Sequence, residues 1–79
     1  MKNNKEFTYT IEKHIATIAS AGALTTELNV IRYCGSEAKY DLRRWRMVNG
    51  EKKLQKGITL TREELGLLKD ALNSMEELA

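Results

Sequence analysis

The sequence predicts an α+β fold in which four antiparallel β-strands precede one C-terminal helix, in the order β-β-β-β-α. The first observation is a series of runs rich in β-branched and aromatic residues, at residues 7–20, 24–34, 39–46 and 52–60. The second is Asn49-Gly50, which stands between the last two runs and favours a type I′ hairpin turn. The third is the pattern of a capped amphipathic helix from Thr61 onward. The 79 residues are enough for one small domain.

The first predicted strand, residues 7–20, is expected to contain a β-bulge. Phe7, Tyr9 and Ile11 share one parity, whereas Ile15 and Ile18 do not continue it. Because alternate side chains of a regular strand point to the same face, this change predicts a bulge or break near residues 12–14.

The second predicted strand, from Leu24 to Cys34, alternates between two sides after a turn marked by Gly22. Leu24, Thr26, Leu28 and Val30 fall on the first side, and Thr25, Glu27, Asn29, Ile31 and Tyr33 on the second. If the first side faces the core, Ile31 and Tyr33 face outward. Tyr33 is then either a ligand contact or a partly buried packing residue.

The third and fourth predicted strands form a basic hairpin that carries an aromatic residue. One face of the third strand carries Lys39, Asp41, Arg43 and Trp45, and the other carries Tyr40, Leu42, Arg44 and Arg46. Asp41 shares its face with Arg43, so we expect it to be a structural partner of this arginine. In the fourth strand, Gly57 is expected to mark a bulge or a close backbone approach.

The predicted helix begins with a capping box, in which the side chains of Thr61 and Glu64 satisfy each other's backbone N–H groups. Its apolar stripe consists of Leu65, Leu68, Leu72, Met75 and Leu78. So short a chain builds only a small core, and we therefore expect Leu65, Leu68, Leu72 and Met75 to form a homodimer interface. The alternative is that the monomer itself buries the whole stripe.

The positive charge is concentrated in the middle of the chain. The net charge is only +2, but residues 32–56 hold eight basic and three acidic side chains, whereas residues 61–79 hold two basic and five acidic ones. A basic segment of this kind indicates either a polyanionic partner or an ordinary solvated sheet face.

Several classes of function find no support in the sequence. Cys34 and His14 are the only cysteine and histidine, so we expect no disulfide, metal site or nucleophile–base pair, and no phosphate-binding glycine loop is present. We therefore predict a protein that is not an enzyme and has no cofactor. No apolar run reaches the roughly 20 residues of a membrane span, so we expect no membrane association and a cytoplasmic location. Residues 1–6 are polar and are expected to be a flexible tail.

The basic, aromatic sheet is better suited to single-stranded than to double-stranded nucleic acid. The sequence shows neither a helix-turn-helix nor a zinc-finger pattern, and its one long helix is acidic. Cationic side chains can follow the phosphates, while tyrosine and tryptophan rings stack on unpaired bases at about 1–3 kcal/mol each. An alternative is a protein-interaction module that docks an acidic partner, with Trp45 as its buried anchor.

Two segments together resemble a known family. Lys39-Tyr40-Asp41-Leu42-Arg43-Arg44-Trp45, followed by Lys56-Gly57-Ile58-Thr59-Leu60-Thr61 at the start of a helix rich in Glu and Leu, is similar to the transcriptional coactivator positive cofactor four, and most to its bacterial YdbC-like branch. The resemblance implies curved sheets, dimerisation through the C-terminal helix, and a groove that binds single-stranded DNA with little sequence preference. It implies a role in transcription, replication or repair, nucleoid association, and the transcription machinery as a partner. RNA as the ligand stays open.

The resemblance also assigns residues. Tyr33 matches the family's aromatic stacking position, Arg43 its third-strand arginine and Lys56 the lysine before Gly-Ile, while Lys53 falls near another basic contact. The family often has two aromatics where this chain has Trp45 and Arg46, so either of these can occupy the stacking position. The complete predicted nucleic-acid-binding set is Tyr33, Lys39, Arg43, Trp45, Arg46, Lys53, Lys56, Arg32 and Lys13.

Overall fold

The computed structural model describes residues 8–78, which form a four-stranded antiparallel sheet in the order β1-β2-β3-β4, followed by one helix. The elements are β1 (Tyr9–Ala21), β2 (Leu24–Tyr33), β3 (Lys39–Val48), β4 (Glu51–Leu60), α1 (Arg62–Asn73) and a 3-10 turn at Glu76–Leu78. The predicted β-β-β-β-α fold is confirmed. The tail predicted for residues 1–6 lies outside the described residues.

The sheet curls until its two edge strands meet. The Tyr9 hydroxyl on β1 donates a hydrogen bond to the Lys52 carbonyl on β4 at 3.3 Å, although β1 and β4 are not neighbours in the sheet. We call the concave side, onto which Tyr9 and Trp45 point, the inner face, and the opposite side the outer face. The buried side chains Glu27, Asn29, Ile31, Asp41 and Trp45 all belong to the inner face.

The curl reverses the expected orientation of β2. Leu24, Leu28 and Val30 were expected to face the core, but they lie on the outer face and are only half-buried. Ile31, expected to face outward, is fully buried. This orientation was wrong because the edge strands close over the side of β2 that carries Glu27, Asn29 and Ile31, and not over the more apolar side that carries Leu24, Leu28 and Val30.

The pairing of β1 with β2 contains three register shifts at nearly regular intervals. Its pairing with β2 shifts between Ile11 and Lys13, between His14 and Ala16, and between Thr17 and Ala19, so that Glu12, Ile15 and Ile18 are each left without a direct partner. The predicted bulge near residues 12–14 is confirmed, and two more follow it. Bulges increase the local twist of a strand, so this spacing helps β1 to wrap towards β4.

The hairpin between β3 and β4 has the predicted turn. Asn49 and Gly50 both have positive φ, at 52° and 81°, as a type I′ turn requires. This turn matches the twist of the flanking strands and holds the register in which Arg46 lies opposite Lys53.

Gly57 has the close approach that the sequence predicts. It lies opposite Arg43 beside a register shift, and a Cβ atom at this position would overlap the Arg43 Cβ and would be 2.7 Å from the Arg43 Cα. Two backbone segments therefore meet where only a hydrogen atom fits.

We expect Gly57→Ala to lower the free energy of unfolding by about 2–3 kcal/mol, because the β3 and β4 backbones must separate to admit the methyl group. The matched control is Gly66→Ala in α1, where the added Cβ would have no atom within 4 Å other than those of its chain neighbours and of the helix's own backbone. That variant should gain about 0.5–1 kcal/mol from helix propensity. Urea denaturation measures both, and equal effects at the two positions would contradict the close approach.

The helix is capped as predicted but buries little. The Glu64 N–H donates to the Thr61 hydroxyl at 3.1 Å, and the Thr61 N–H donates to the Glu64 carboxylate at 2.9 Å. No residue of α1 is buried, and Leu68, Leu72 and Met75 all remain exposed in the single chain. Within residues 8–78, no helix has the length and hydrophobicity to cross a membrane.

Candidate nucleic-acid interface

The first polar cluster of the inner face is built around Asp41. Its carboxylate is fully buried and accepts two hydrogen bonds from the Arg43 guanidinium, both at 2.8 Å, and one from the Tyr33 hydroxyl at 2.8 Å. Arg43 also donates to the Gln55 carbonyl on β4 at 2.8 Å. The expected partnership of Asp41 with Arg43 is confirmed, and it ties β2, β3 and β4 together.

This cluster changes the acid–base properties of its members. Burial, together with the hydrogen bond to Asp41, raises the pKa of Tyr33 to about 12. The hydrogen bonds to Asp41 raise the pKa of Arg43 above its ordinary value. Arg43 is thus held as one half of an internal ion pair, with its side chain 14% exposed, and most of its charge is already compensated.

The second polar cluster of the inner face is built around Glu27. This buried carboxylate accepts hydrogen bonds from Lys52 at 2.8 Å, Thr25 at 2.7 Å and Asn29 at 3.3 Å. The Asn29 side-chain oxygen lies 2.6 Å from His14 Nδ1. Burial by itself would raise the pKa of Glu27, but the three hydrogen bonds and the charge of Lys52 outweigh it and hold this pKa below its ordinary 4.5.

We expect the protein to lose stability in acid because of Glu27. Its pKa is lower in the folded than in the unfolded state, so the stabilisation is complete above about pH 4.5 and is lost as the pH falls through the folded pKa. Glu27→Gln should cost about 1–3 kcal/mol at neutral pH and flatten this acid dependence. Thermal unfolding at several pH values measures the effect.

The control is Glu12→Gln, at a solvent-exposed ion pair with Arg32. It should keep the wild-type pH profile of stability. An unaltered profile in Glu27→Gln would contradict the assignment of the acid dependence to Glu27.

Trp45 lies opposite Thr25 of β2 and is closed off from solvent. It is 1% exposed, with the Tyr9 ring centroid 5.6 Å away and the Lys52 ammonium 5.3 Å from its own ring centroid. Its indole N–H is buried and has no hydrogen-bond acceptor within residues 8–78. The Trp45 ring is therefore not open to a base in this closed arrangement, because the curled edges of the sheet cover it.

A group of accessible positive charges lies on the outer face. A groove of about 530 Å³ is lined by Leu24, Thr26, Leu42, Arg43, Arg44, Arg46, Gln55 and Lys56, and we call it the outer groove. Within the described residues, no ion pair engages Arg44, Arg46 or Lys56. Lys53 lies opposite Arg46 and forms an exposed ion pair with Glu51 at 3.0 Å. The groove thus combines an apolar floor with a cationic rim.

The structure divides the predicted binding residues between the two faces. Tyr33, Lys39, Arg43 and Trp45 have inner-face positions, whereas Arg46, Lys53 and Lys56 lie at or beside the outer groove. Lys13 lies opposite the outer-face residue Val30, and Arg32 belongs to the outer side of β2. The Arg32 guanidinium donates hydrogen bonds to Glu12 at 2.7 Å and to the Ser36 carbonyl at 2.8 Å. The predicted residues do not form one continuous surface.

The sequence interpretation missed Arg44. Arg44 shares its face of β3 with Arg46 but is not among the predicted binding residues. The pairing of β3 with β4 shifts beside it, with two residues, Gln55 and Lys56, spanning the gap in β4. A bulge of this kind redirects side chains, and here Lys56 lines the same groove as Arg44. The alternation of Arg44 with Arg46 was the available signal.

The fold and the site define a class of small α+β protein, with a curled antiparallel sheet, an internally paired inner face and a cationic outer groove. No family model matches the chain. An uncharacterized protein of Treponema pallidum (strain Nichols) is 38% identical over 73 residues, covering 91% of this chain and 84% of the relative. The chain belongs to the same family as this Treponema pallidum protein.

Proposed function

We propose that the protein binds single-stranded DNA with little sequence preference, without catalysis, and acts in transcription, replication or repair. The observation that carries this proposal is the outer groove, where Arg44, Arg46 and Lys56 project from neighbouring strands with no ion-pair partner among residues 8–78. Unpaired cations on a sheet face are the electrostatic requirement for following a phosphate backbone.

The dimensions of β3 suit a chain-like polyanion. Arg44 and Arg46 are two residues apart on the same face, about 6.8 Å along the strand. Lys56 approaches the same groove from β4, while Leu24 and Leu42 provide an apolar floor. A single strand crossing β3 and β4 can place phosphates on the rim and bases over the floor. A duplex keeps its bases stacked inside, so it can make only the phosphate contacts on the rim.

The alternative of a protein-interaction module loses its anchor in this structure. That interpretation depended on Trp45 entering an acidic partner, but the Trp45 ring is buried beneath Tyr9 and Lys52. The outer groove has no exposed aromatic anchor of comparable size among its lining residues. The same groove suits nucleic acid without such an anchor, since phosphate contacts supply most of the affinity.

A binding titration at several salt concentrations tests the proposal. Oligothymidylate should bind more tightly than a duplex of equal length, and its affinity should fall linearly on a log–log plot against salt. An oligouridylate series decides between DNA and RNA. Equal affinity for single strand and duplex, or an affinity insensitive to salt, would refute the proposal. The proposed cellular setting is the cytoplasm, in association with the nucleoid, with the transcription machinery as a partner.

We also propose that the protein is a homodimer formed through α1. Its exposed stripe residues Leu68, Leu72 and Met75 support this, because such a row in a short chain favours burial against a second copy. Sedimentation should give about twice the 9.0 kDa of one chain. Leu72→Glu should give the monomer, whereas Lys69→Glu, a charge change outside the stripe, should not. A wild-type monomer at micromolar concentration would contradict the dimer.

A further inference from the structure

A second cleft adjoins the outer groove on the other side of Arg44. It has a volume of about 250 Å³, and we call it the β1–β2 cleft. Three of its lining residues also line the outer groove, namely Leu24, Thr26 and Arg44. The others come from the end of β1 and the start of β2, and they are Ala19, Ser20, Ala21 and Thr25. The outer groove and the β1–β2 cleft therefore share a border, and Arg44 belongs to both.

The strand register places this cleft within one nucleotide of the cations. Ala19 on β1 lies opposite Thr26 on β2, and Thr26 lies opposite Arg44 on β3. This row crosses the sheet over two strand spacings, about 10 Å. Ala21 and Leu24 lie opposite each other beside the row. A nucleotide whose phosphate contacts Arg44 is long enough to lay its base over β2.

The chemistry of the β1–β2 cleft suits a flat, uncharged ring better than a phosphate. Ala19, Ala21 and Leu24 offer only apolar side chains, and Thr26 adds one hydroxyl. Arg44 is the single charged residue among the described lining residues, and none of the ion pairs of residues 8–78 includes it. A guanidinium donates hydrogen bonds in its own plane and stacks on rings with its face. Arg44 can therefore hold a phosphate and cover a base at the same time.

We propose that the β1–β2 cleft takes one unpaired base of a bound strand, with the Arg44 guanidinium stacked on that base. A paired base stays inside its duplex and cannot enter, so this contact favours single strands. The inference rests on the proposed binding of single-stranded DNA. It adds a base subsite whose residues lie outside the predicted nucleic-acid-binding set.

An abasic oligonucleotide separates base contacts from phosphate contacts. It keeps the phosphates of an oligothymidylate of equal length but has no bases, so the ratio of the two affinities measures the base contacts. Arg44→Lys keeps the positive charge but removes the flat guanidinium. It should reduce this ratio about threefold or more and leave the salt dependence of binding unchanged. Arg46→Lys makes the same exchange in the outer groove alone and should reduce the ratio by a smaller factor.

A second variant fills the cleft. Ala19→Leu places a larger side chain at an exposed position of its lining, and should reduce the ratio about threefold or more while affinity for the abasic strand is kept. The control is Ala23→Leu, the same exchange at an exposed turn residue that lines neither the cleft nor the outer groove, and it should keep the wild-type ratio. If Ala19→Leu fails to fold in circular dichroism, Arg44→Lys still decides.

The outcomes separate the base subsite from the binding function. If oligothymidylate binds the wild type but Arg44→Lys leaves the ratio unchanged, the subsite is refuted and the proposed function stands. An equal reduction in Arg46→Lys would assign the base contact to the outer groove and also refute the subsite. So would a changed sedimentation mass of Ala19→Leu with an unchanged ratio, because the cleft would then be a contact between two copies. If neither strand binds the wild type, both proposals fall.

Discussion

Asp41→Ala is expected to lower the free energy of unfolding by about 3–5 kcal/mol, the range found when one partner of a buried ion pair is removed. Asp41 is fully buried and holds both Arg43 and Tyr33. Its loss would leave the largely buried guanidinium of Arg43 without a counter-charge and Tyr33 without its acceptor. Urea denaturation followed by circular dichroism measures the change in unfolding free energy.

A spectroscopic measurement identifies the cause. Removal of Asp41 should bring the pKa of Tyr33 down from about 12 towards its ordinary 10.0, since the hydrogen bond to this carboxylate is one of the two main causes of the raised value. Ultraviolet titration of the tyrosines records this shift. Asp70→Ala, at an exposed position of α1, is the control and should change the stability by no more than about 0.5 kcal/mol. A stable Asp41→Ala variant with an unchanged Tyr33 pKa would contradict the assigned cluster.

Local signals were sufficient to predict the elements of the fold. The Asn49-Gly50 turn and the Thr61–Glu64 capping box depend on contacts within four residues, and both are present. The alternation along β3 also assigned Asp41 and Arg43 to one face, because this strand has no inserted residue of its own. In β1, the first bulge could be inferred from the change of parity between Ile11 and Ile15, but not the two that follow.

The direction of the curl could not be predicted, because it depends on contacts between distant strands. Tyr9 and Lys52 are 43 residues apart, and no local pattern indicates that they meet. The buried side of β2 contains Glu27 and Asn29, which ordinarily indicate a solvent-facing side. Their burial depends on Lys52 and His14 from the two edge strands. A polar inner face is visible only when all four strands are in place.

The candidate site could be predicted only in part, because it also depends on contacts between distant strands. Basic residues were correctly located in β3 and β4, but a charge serves a polyanion only if no internal acid compensates it. Arg43 is compensated by Asp41, whereas Arg44 and Arg46 face the other way. The polar inner face thus stabilises the curl, and the outer face keeps its charges available. The proposed binding and the stability of the fold therefore depend on opposite sides of one strand, and substitutions can separate them.

The double variant Arg44→Gln/Arg46→Gln is therefore expected to fold normally but to bind single-stranded DNA about tenfold or more weakly at low salt. Both side chains are exposed and unpaired within the described residues, so the unfolding free energy should change by no more than about 0.5 kcal/mol. Each lost phosphate contact should reduce the slope of log affinity against log salt by about 0.7, giving about 1.4 for the pair. Adding Lys56→Gln should bring the reduction to about 2.

The control for that variant removes the same charge from another surface. Arg62→Gln/Lys69→Gln removes two cations from α1 and has the same net charge as the β3 variant. Any general loss of attraction to DNA is therefore equal in the two variants. If binding depends on the outer groove, only the β3 variant should show the reduced slope. If both variants lose the same slope, the attraction comes from net charge and the groove is not the contact. If neither does, the phosphates must follow a path that avoids Arg44 and Arg46.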